Sequence, residues 1–194
     1  MKKIYTAFIL MLFFTLVTGI LYPLILWGLG NIFFNHRASG SFLENKKTHE
    51  IIGSSLIGQN FQAKKYFHGR PSVCDYNAML SGATNLAPTS KTLYQQVEGR
   101  LEKYKKENDL PDSFSRIPPD AVFSSGSGLD PHISVENAYL QANRIASERG
   151  VALEEIMRLI DQHTEKPLFG IFGKKLVSVL LLNAKLDGIT LEKK

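Results

Sequence analysis

The sequence predicts an α+β protein: a single N-terminal transmembrane helix followed by one mixed soluble α/β domain. Three observations predict it. From Ile4 to Asn35 the chain carries no charged residue. Further on, apolar residues recur at helical spacing in separate segments. Between those segments stand short apolar runs punctuated by Gly, Pro, Asn and Ser, the pattern of short strands and turns.

The uncharged run comes first. A helix needs about 20 apolar residues to cross a hydrocarbon core of roughly 30 Å, and Ile4 to about Trp27 meets that length. Lipid offers no hydrogen bonds to the backbone, so the run must be helical. Lys2 and Lys3 also suit the start of a cleaved signal peptide, whose apolar core lasts about 7–15 residues before a small-x-small site. Here the apolar run continues through Leu21, Leu24, Trp27, Leu29, Ile32 and Phe34 with no Ala-x-Ala interruption. A buried core helix rarely runs this long without a charge. Gly19 and Pro23 are compatible with a span, and Trp27, Phe33 and Phe34 suit the aromatic belt at the far interface. Lys2 and Lys3 on one flank nearly balance Arg37, Lys46 and Lys47 on the other, so the flanks do not fix the orientation. The organisation read from this is an anchor over 1–35 (span about 4–27), a polar stalk over 36–50 and a soluble domain over 51–194.

About 155 residues lie beyond the anchor, enough for one domain with a real core. The net charge is +5 and the isoelectric point about 9.2, but the charges are dispersed. Lys103, Lys105 and Lys106 interleave with Glu102 and Glu107 as on a solvated helix face, which does not make a nucleic-acid groove. Cys74 is the single cysteine, so intrachain disulfides and cysteine-based zinc sites are excluded.

Within the domain, Ile51–Phe61 reads as a strand or two with turns at Gly53 and Gly58, Tyr66–Ser72 as a bend, and Tyr76–Pro88 as a long irregular segment of the kind that is usually functional or interface-forming. A helix starts at Thr89 or Ser90 and buries Leu93, Val97, Leu101 and Tyr104, with Glu98, Glu102, Lys105 and Lys106 mostly elsewhere. Pro111, Pro118 and Pro119 interrupt the chain beyond it, and Ala121-Val122-Phe123 is a short strand candidate. After a Gly/Ser turn region over Ser124–Ser134, Ser134 caps a helix to about Arg149, with Val135, Ala138, Ala142 and Ile145 inward and Gly150 as its left-handed end. Another helix covers about Leu153–His163, with Leu153, Ile156, Met157 and Ile160 inward. Pro167–Gly173 turns the chain, and Leu176–Leu182 is a buried strand or the start of a helix.

No catalytic constellation emerges from the residues. Gly126-Ser127-Gly128 lacks the Gly-Lys-Ser/Thr of a phosphate loop. The nucleophile elbow Gly-x-Ser-x-Gly is absent, and His132 comes after the turn pair Asp130-Pro131. His36, His49, His68, His132 and His163 are never at the i, i+4 spacing of a helical metal site. Arg70, between Gly69 and Pro71, suits the holding of a carboxylate or the capping of carbonyls, and Gln59, Asn77 and Asn85 suit bracing of turns.

The order of the segments is specific. After the span come Gly53-Ser54-Ser55-Leu56-Ile57-Gly58-Gln59-Asn60-Phe61, Tyr66-Phe67-His68-Gly69-Arg70-Pro71-Ser72, Tyr76-Asn77 and Ser81-Gly82-Ala83-Thr84-Asn85-Leu86. Later stand Ser125-Gly126-Ser127-Gly128-Leu129-Asp130-Pro131-His132-Ile133-Ser134 and Leu181-Leu182-Asn183. This resembles the C subunit of Kdp-type potassium-transporting ATPases over essentially the full length. Ala83-Thr84, Ala87 and Ala184-Lys185 depart from the usual residues, the last bearing on C-terminal packing.

The resemblance implies a non-catalytic accessory subunit of a high-affinity ATP-driven potassium importer, spanning the bacterial inner membrane once, with its soluble domain extracytoplasmic. Its partners would be the potassium-conducting, ATP-hydrolysing and small subunits, with ATP and Mg on a partner and no cofactor held tightly by this chain. The family's C subunit is described as an assembly factor and as a catalytic chaperone that raises the ATP affinity of the hydrolysing subunit. Tyr66, Phe67, Arg70, Asn77, Asn85, Asp130 and His132 are the candidate partner-contact residues. The alternative is a nucleotide-binding subunit in a ternary complex with ATP and the hydrolysing subunit, with Gln59, Ser125 and Ser127 near the phosphates.

Overall fold

The computed structural model of the chain describes residues 2–193. It contains two compact units, one ending at Phe42 and the other formed by Leu43–Glu192.

The first unit is one apolar helix over Lys2–Phe33 followed by a short turn of helix. Its parts are α1 (Lys2–Leu16), a π-helical turn (Val17–Leu21), α2 (Tyr22–Phe33) and α3 (Asn35–Ala38). At 1.5 Å per residue the long helix exceeds the roughly 30 Å of a bilayer core, so the helix continues past the expected end near Trp27. The π turn has a cause in the sequence. Pro23 has no N–H for the Gly19 carbonyl and its ring would crowd it, and just before it Tyr22 N–H bonds back to Val17 O, five residues away. The polar side chains close on the helix itself: Thr15 Oγ1 donates to Met11 O (2.8 Å), Thr18 Oγ1 to Phe14 O (2.6 Å) and Asn31 Nδ2 to Trp27 O (2.8 Å). Each bond removes a polar group that lipid would leave unsatisfied.

The second unit is built from two small sheets and five helices. β1 (Phe42–Asn45) lies between β2 (Ile51–Ser54) and β6 (Leu191–Lys193). Residues 36–50, read as a stalk, thus contain α3, β1 and the turn into β2, and Leu43 is buried. β5 (Leu176–Ser178) is flanked by β3 (His132–Ser134) and β4 (Thr164–Glu165), both antiparallel to it, with Ile133 opposite Val177. α6 (Val135–Arg149) packs on α7 (Leu153–Gln162), and α8 (Val179–Leu186) follows β5 directly. Their apolar faces form the main core of Ile133, Ala138, Ala142, Ile145, Ile156, Ile160, Val177, Val179 and Leu182, with Phe67 inserted from a loop. A second cluster joins α4 (Lys91–Glu107) to α5 (Pro119–Val122) through Tyr104, Ala121 and Val122, with Val97, Leu101 and Leu140 packed against it.

The helix ends match their local signals. Ser90 Oγ accepts Leu93 N–H at the start of α4 (3.4 Å). Ser134 Oγ accepts Asn137 N–H at the start of α6 (3.1 Å), and Gly150 closes that helix at φ +64°.

Four expectations are corrected. Ala121-Val122-Phe123 is not a strand: Pro119 presets a helical φ and the chain makes one turn of helix over Pro119–Val122. Met157 faces solvent, because α7 buries only the side of Ile156 and Ile160. Gly53 lies inside β2 and turns nothing; a Cβ there would run into the Gln59 amide and Leu180. Gly58 is likewise a point of close approach, where a Cβ would sit 2.6 Å from Asp130 O and 2.7 Å from the Tyr76 ring. Leu176–Leu182 was open between strand and helix and is both: β5 passes into α8 at Ser178.

Ser134 also donates to Asp120 Oδ1 (2.8 Å), so it ties α5 to the start of α6. Ser134→Ala is expected to cost about 1–2 kcal/mol, read by urea unfolding of the detergent-solubilised chain.

Candidate functional site

Residues 61–72 form neither helix nor strand, yet Phe67 within them is fully buried. A buried irregular backbone needs partners for its N–H and C=O groups, and side chains from two helices supply them. Asn183 of α8 accepts Phe67 N–H (2.8 Å) and donates to Phe67 O (2.9 Å). Gln141 of α6 does the same for His68, accepting its N–H (2.7 Å) and donating to its carbonyl (3.1 Å). Each amide thus acts as a neighbouring strand would. Arg144 donates to Tyr66 O (3.0 Å) and Lys64 O, and Arg149 to Lys65 O (2.8 Å).

The far end of this segment is tied to the Gly/Ser loop before β3. Arg70 forms an ion pair with Asp130 (2.9 Å) and donates to Ser124 O (3.2 Å). Ser72 Oγ donates to Gly128 O (2.7 Å) and accepts Tyr76 N–H (3.0 Å), and Tyr76 Oη donates to Arg70 O (2.5 Å). Burial of the Tyr76 phenol, with Asp130 adding to it, pushes its pKa up to about 12. Gly82 N–H and Ser81 Oγ both reach Ser127 O (2.9 and 3.3 Å). Gly128 sits at φ +72°, and a Cβ there would stand 2.6 Å from Cys74 Sγ. These bonds hold residues 70–82 in one shape and leave Val73, Met79 and Leu80 exposed on its outer side, Met79 at 90 %.

Beside this junction lies a polar cleft of about 530 Å³ whose wall includes His68, Arg70, Tyr76, Arg100, Lys103 and Glu107. Lys103 pairs with Glu107 (3.7 Å). His68 Nδ1 lies 3.8 Å from Glu107, and its Nε2 is bonded to Ala63 O (3.2 Å). Burial, then the charge of Arg144, lowers the His68 pKa, with Lys103 adding to this and the Ala63 bond and Glu107 opposing it. No group of three His, Cys, Asp or Glu side chains capable of holding a metal occurs among the described residues.

The candidate partner-contact residues fall into four places. Arg70 and Asp130 meet as an ion pair at the junction; His132 stands between Asp130 (3.8 Å) and Glu165 (3.7 Å). Tyr66 is elsewhere, donating to Asp187 (2.7 Å) under Arg149. The Asp187 carboxyl, which burial would raise, is held low by its bonds from Arg149 and Tyr66. Asn77 and Asn85 lie exposed on the 70–88 loop, where Asn77 Oδ1 braces Met79 N–H (3.0 Å) and Asn85 takes φ +52°. Phe67 cannot face a partner: its ring is in the core, and its role is to seat the segment. The three nucleotide candidates are engaged internally or buried. Gln59 Nε2 donates to Ile52 O (2.8 Å), Ser127 Oγ accepts Leu129 N–H (3.1 Å), and Ser125 is buried. None of the three lines the polar cleft.

Asp120, Gln141, Arg144 and Asn183 were missed in the sequence. The available signal was a polar residue at the spacing of a buried stripe: Gln141 falls three after Ala138 and four before Ile145, and Asn183 ends an apolar run.

The profile of the K+-transporting ATPase c chain, KdpC, matches residues 4–188. The chain belongs to the KdpC family. Among its relatives, the potassium-transporting ATPase KdpC subunit of Mycobacterium tuberculosis (strain H37Rv) is 45 % identical over 188 residues, covering 96 % of this chain and 98 % of the relative. That of Gloeobacter violaceus is 41 % identical over 189 residues, covering 97 % of each. That of Rhodopseudomonas palustris is 41 % identical over 201 residues, covering 96 % and 97 %. Matches of this extent take in the apolar helix and the pinned segment alike.

Two measurements probe the pinned segment of this KdpC chain. Asn183→Ala leaves both buried backbone groups of Phe67 without partners and is expected to cost about 2–6 kcal/mol in chemical unfolding, at about 1–3 for each group. The lowered His68 pKa means that the unfolded chain takes up this proton first as pH falls. Stability from this group is therefore lost as pH drops below about 6.5 and through the lower folded-state pKa. The unfolding midpoint of a His68→Gln variant is expected to fall less between about pH 7 and pH 5 than that of the parent.

Proposed function

We propose that this chain is the accessory C subunit of an ATP-driven potassium importer, held in the bacterial inner membrane by the Lys2–Phe33 helix. In this reading its domain is extracytoplasmic and docks on the potassium-conducting subunit, stabilising the assembly with the ATP-hydrolysing and small subunits. The relatives named for the potassium-transporting ATPase support the complex.

One observation carries the docking surface: the 70–88 loop. It contains no helix or strand, yet Arg70, Ser72, Ser81 and Gly82 stitch it to Asp130, Gly128 and Ser127, and Tyr76 closes on Arg70 O within it. A loop fixed before binding loses little conformational freedom on association. Its outer side offers Met79, Leu80 and Val73 to a partner, with Asn77 and Asn85 at the rim. Arg70 ties its start to Asp130, which His132 flanks, and Tyr66 steadies the opposite end of the pinned segment. The division into anchor 1–35, stalk 36–50 and soluble domain 51–194 belongs to the same proposal. A rise in the ATP affinity of the hydrolysing subunit would then be a coupling free energy between distant sites, transmitted through the assembled complex. ATP and Mg would stay on the partner.

The test uses one reporter. Met79→Cys is made with Cys74→Ser and labelled on intact spheroplasts with a membrane-impermeant thiol reagent. Labelling is expected when the chain is expressed alone, and at least about fivefold protection when the partner subunits are co-expressed. Labelling only after lysis would place the domain in the cytoplasm and favour the nucleotide alternative at Gln59, Ser125 and Ser127. Equal labelling with and without partners would remove the loop as the docking surface.

A further inference from the structure

Between β4 and β5 the chain makes a short hairpin whose base lines a cleft with α5 and α6 and whose apolar side chains stand exposed. Leu168 and Phe172 bond to each other in both directions (2.9 and 3.0 Å), and Phe169-Gly170-Ile171 form its tip. All four large apolar side chains are exposed, Phe169 at 84 % and Ile171 at 78 %. Lys166 precedes the hairpin, and Lys174 and Lys175 stand just beyond it. No ion pair engages any of these three lysines among the described residues.

The tip breaks a local rule. Phe169 and Gly170 stand at φ +54° and +75°, with Ile171 N–H bonded to Leu168 O (3.2 Å), the geometry of a type I′ turn. Folding alone would favour Asn or Asp at the first of those positions. A phenylalanine there is strained and leaves 84 % of its surface to water, so little burial offsets the strain. Strain without internal compensation points to an interaction outside the chain.

We propose that this hairpin is a second membrane contact of the chain, its Leu168, Phe169, Ile171 and Phe172 side chains dipping among the acyl chains of an anionic bilayer. Lys166, Lys174 and Lys175 then lie at the headgroup level. Two features select lipid as the occupant. The apolar residues form a protruding tip flanked by cations, which is complementary to an apolar layer under negative headgroups. The chain also carries an apolar helix long enough to cross a bilayer, so a lipid surface is always at high local concentration. The proposal does not depend on the 70–88 loop or on which side the domain occupies, since both leaflets can present anionic lipid.

The experiment reconstitutes the full chain with Phe172→Trp and Trp27→Phe, leaving one tryptophan as reporter. In vesicles of phosphatidylcholine with about one-quarter phosphatidylglycerol, its emission is expected to shift to the blue, with at least about twofold quenching by brominated acyl chains. Adding Lys174→Glu and Lys175→Glu should abolish both signals. Adding Phe169→Asn should weaken the quenching while leaving the unfolding temperature unchanged or higher, because Asn tolerates the left-handed backbone. That separates lost membrane contact from lost folding. Water-like, unquenched emission in the charged vesicles would overturn the proposal. So would a blue shift that arises only when partner subunits are added, which would make the occupant a protein. Equal quenching in pure phosphatidylcholine would remove the anionic headgroup as the partner.

Discussion

Two side-chain amides, Gln141 and Asn183, hold the buried stretch around Phe67 and His68 by pairing with the N–H and C=O of each residue. Without Asn183 the two buried backbone groups of Phe67 would be unsatisfied, at about 1–3 kcal/mol apiece, and without Gln141 the half-buried pair of His68 would lose its partners too. That is a large share of the stability of a domain this size. The two clamps come from different helices, α6 and α8, so the segment also fixes how those helices stand to one another. Arg144 and Arg149 extend the same device to residues 64–66, and Arg144 reaches back to Asn108 at the end of α4 (3.0 Å).

The pinned segment sets the position of residues 70–82. Because His68 is fixed, Arg70 can meet Asp130 and the Ser124 carbonyl, and Ser72 can reach Gly128. The glycines at 58 and 128 are required by this junction: each lets a backbone approach that a Cβ would block. The outcome is an irregular surface held by hydrogen bonds from below.

The exposed apolar features have different physical origins. The Lys2–Phe33 helix satisfies its own backbone and returns its Thr and Asn side chains to its own carbonyls, as a lipid environment demands. Met79 and Leu80 stand on a loop braced from below by hydrogen bonds. The hairpin at Leu168–Phe172 has neither property; it holds a strained aromatic residue at an unpacked tip.

The features legible in the sequence were those that depend on neighbours a few residues apart. The uncharged run, the Ser90 and Ser134 caps, the Gly150 end and the stripe of α6 each arise from local spacing and are found as helix, caps and core face, while the α4 stripe buries Tyr104 and half-buries Val97 and Leu101. Elements of three or four residues, such as β1, β3 and α5, were too short to show a period, so α5 was mistaken for a strand and β1 went unseen within the stalk. The candidate residues were found as turn-formers, but which of them meet was not. Arg70 and Asp130 are 60 residues apart, Gln141 and His68 are 73, and Asn183 and Phe67 are 116. By itself the sequence determined an apolar helix long enough to cross a bilayer, an α+β domain and the members of its motifs, because those depend on composition and periodicity. The tertiary structure alone decided that an irregular segment is anchored in the core through Phe67 and which side chains satisfy its backbone. A backbone group takes whichever partner the fold brings within hydrogen-bonding distance, and no local pattern records that choice.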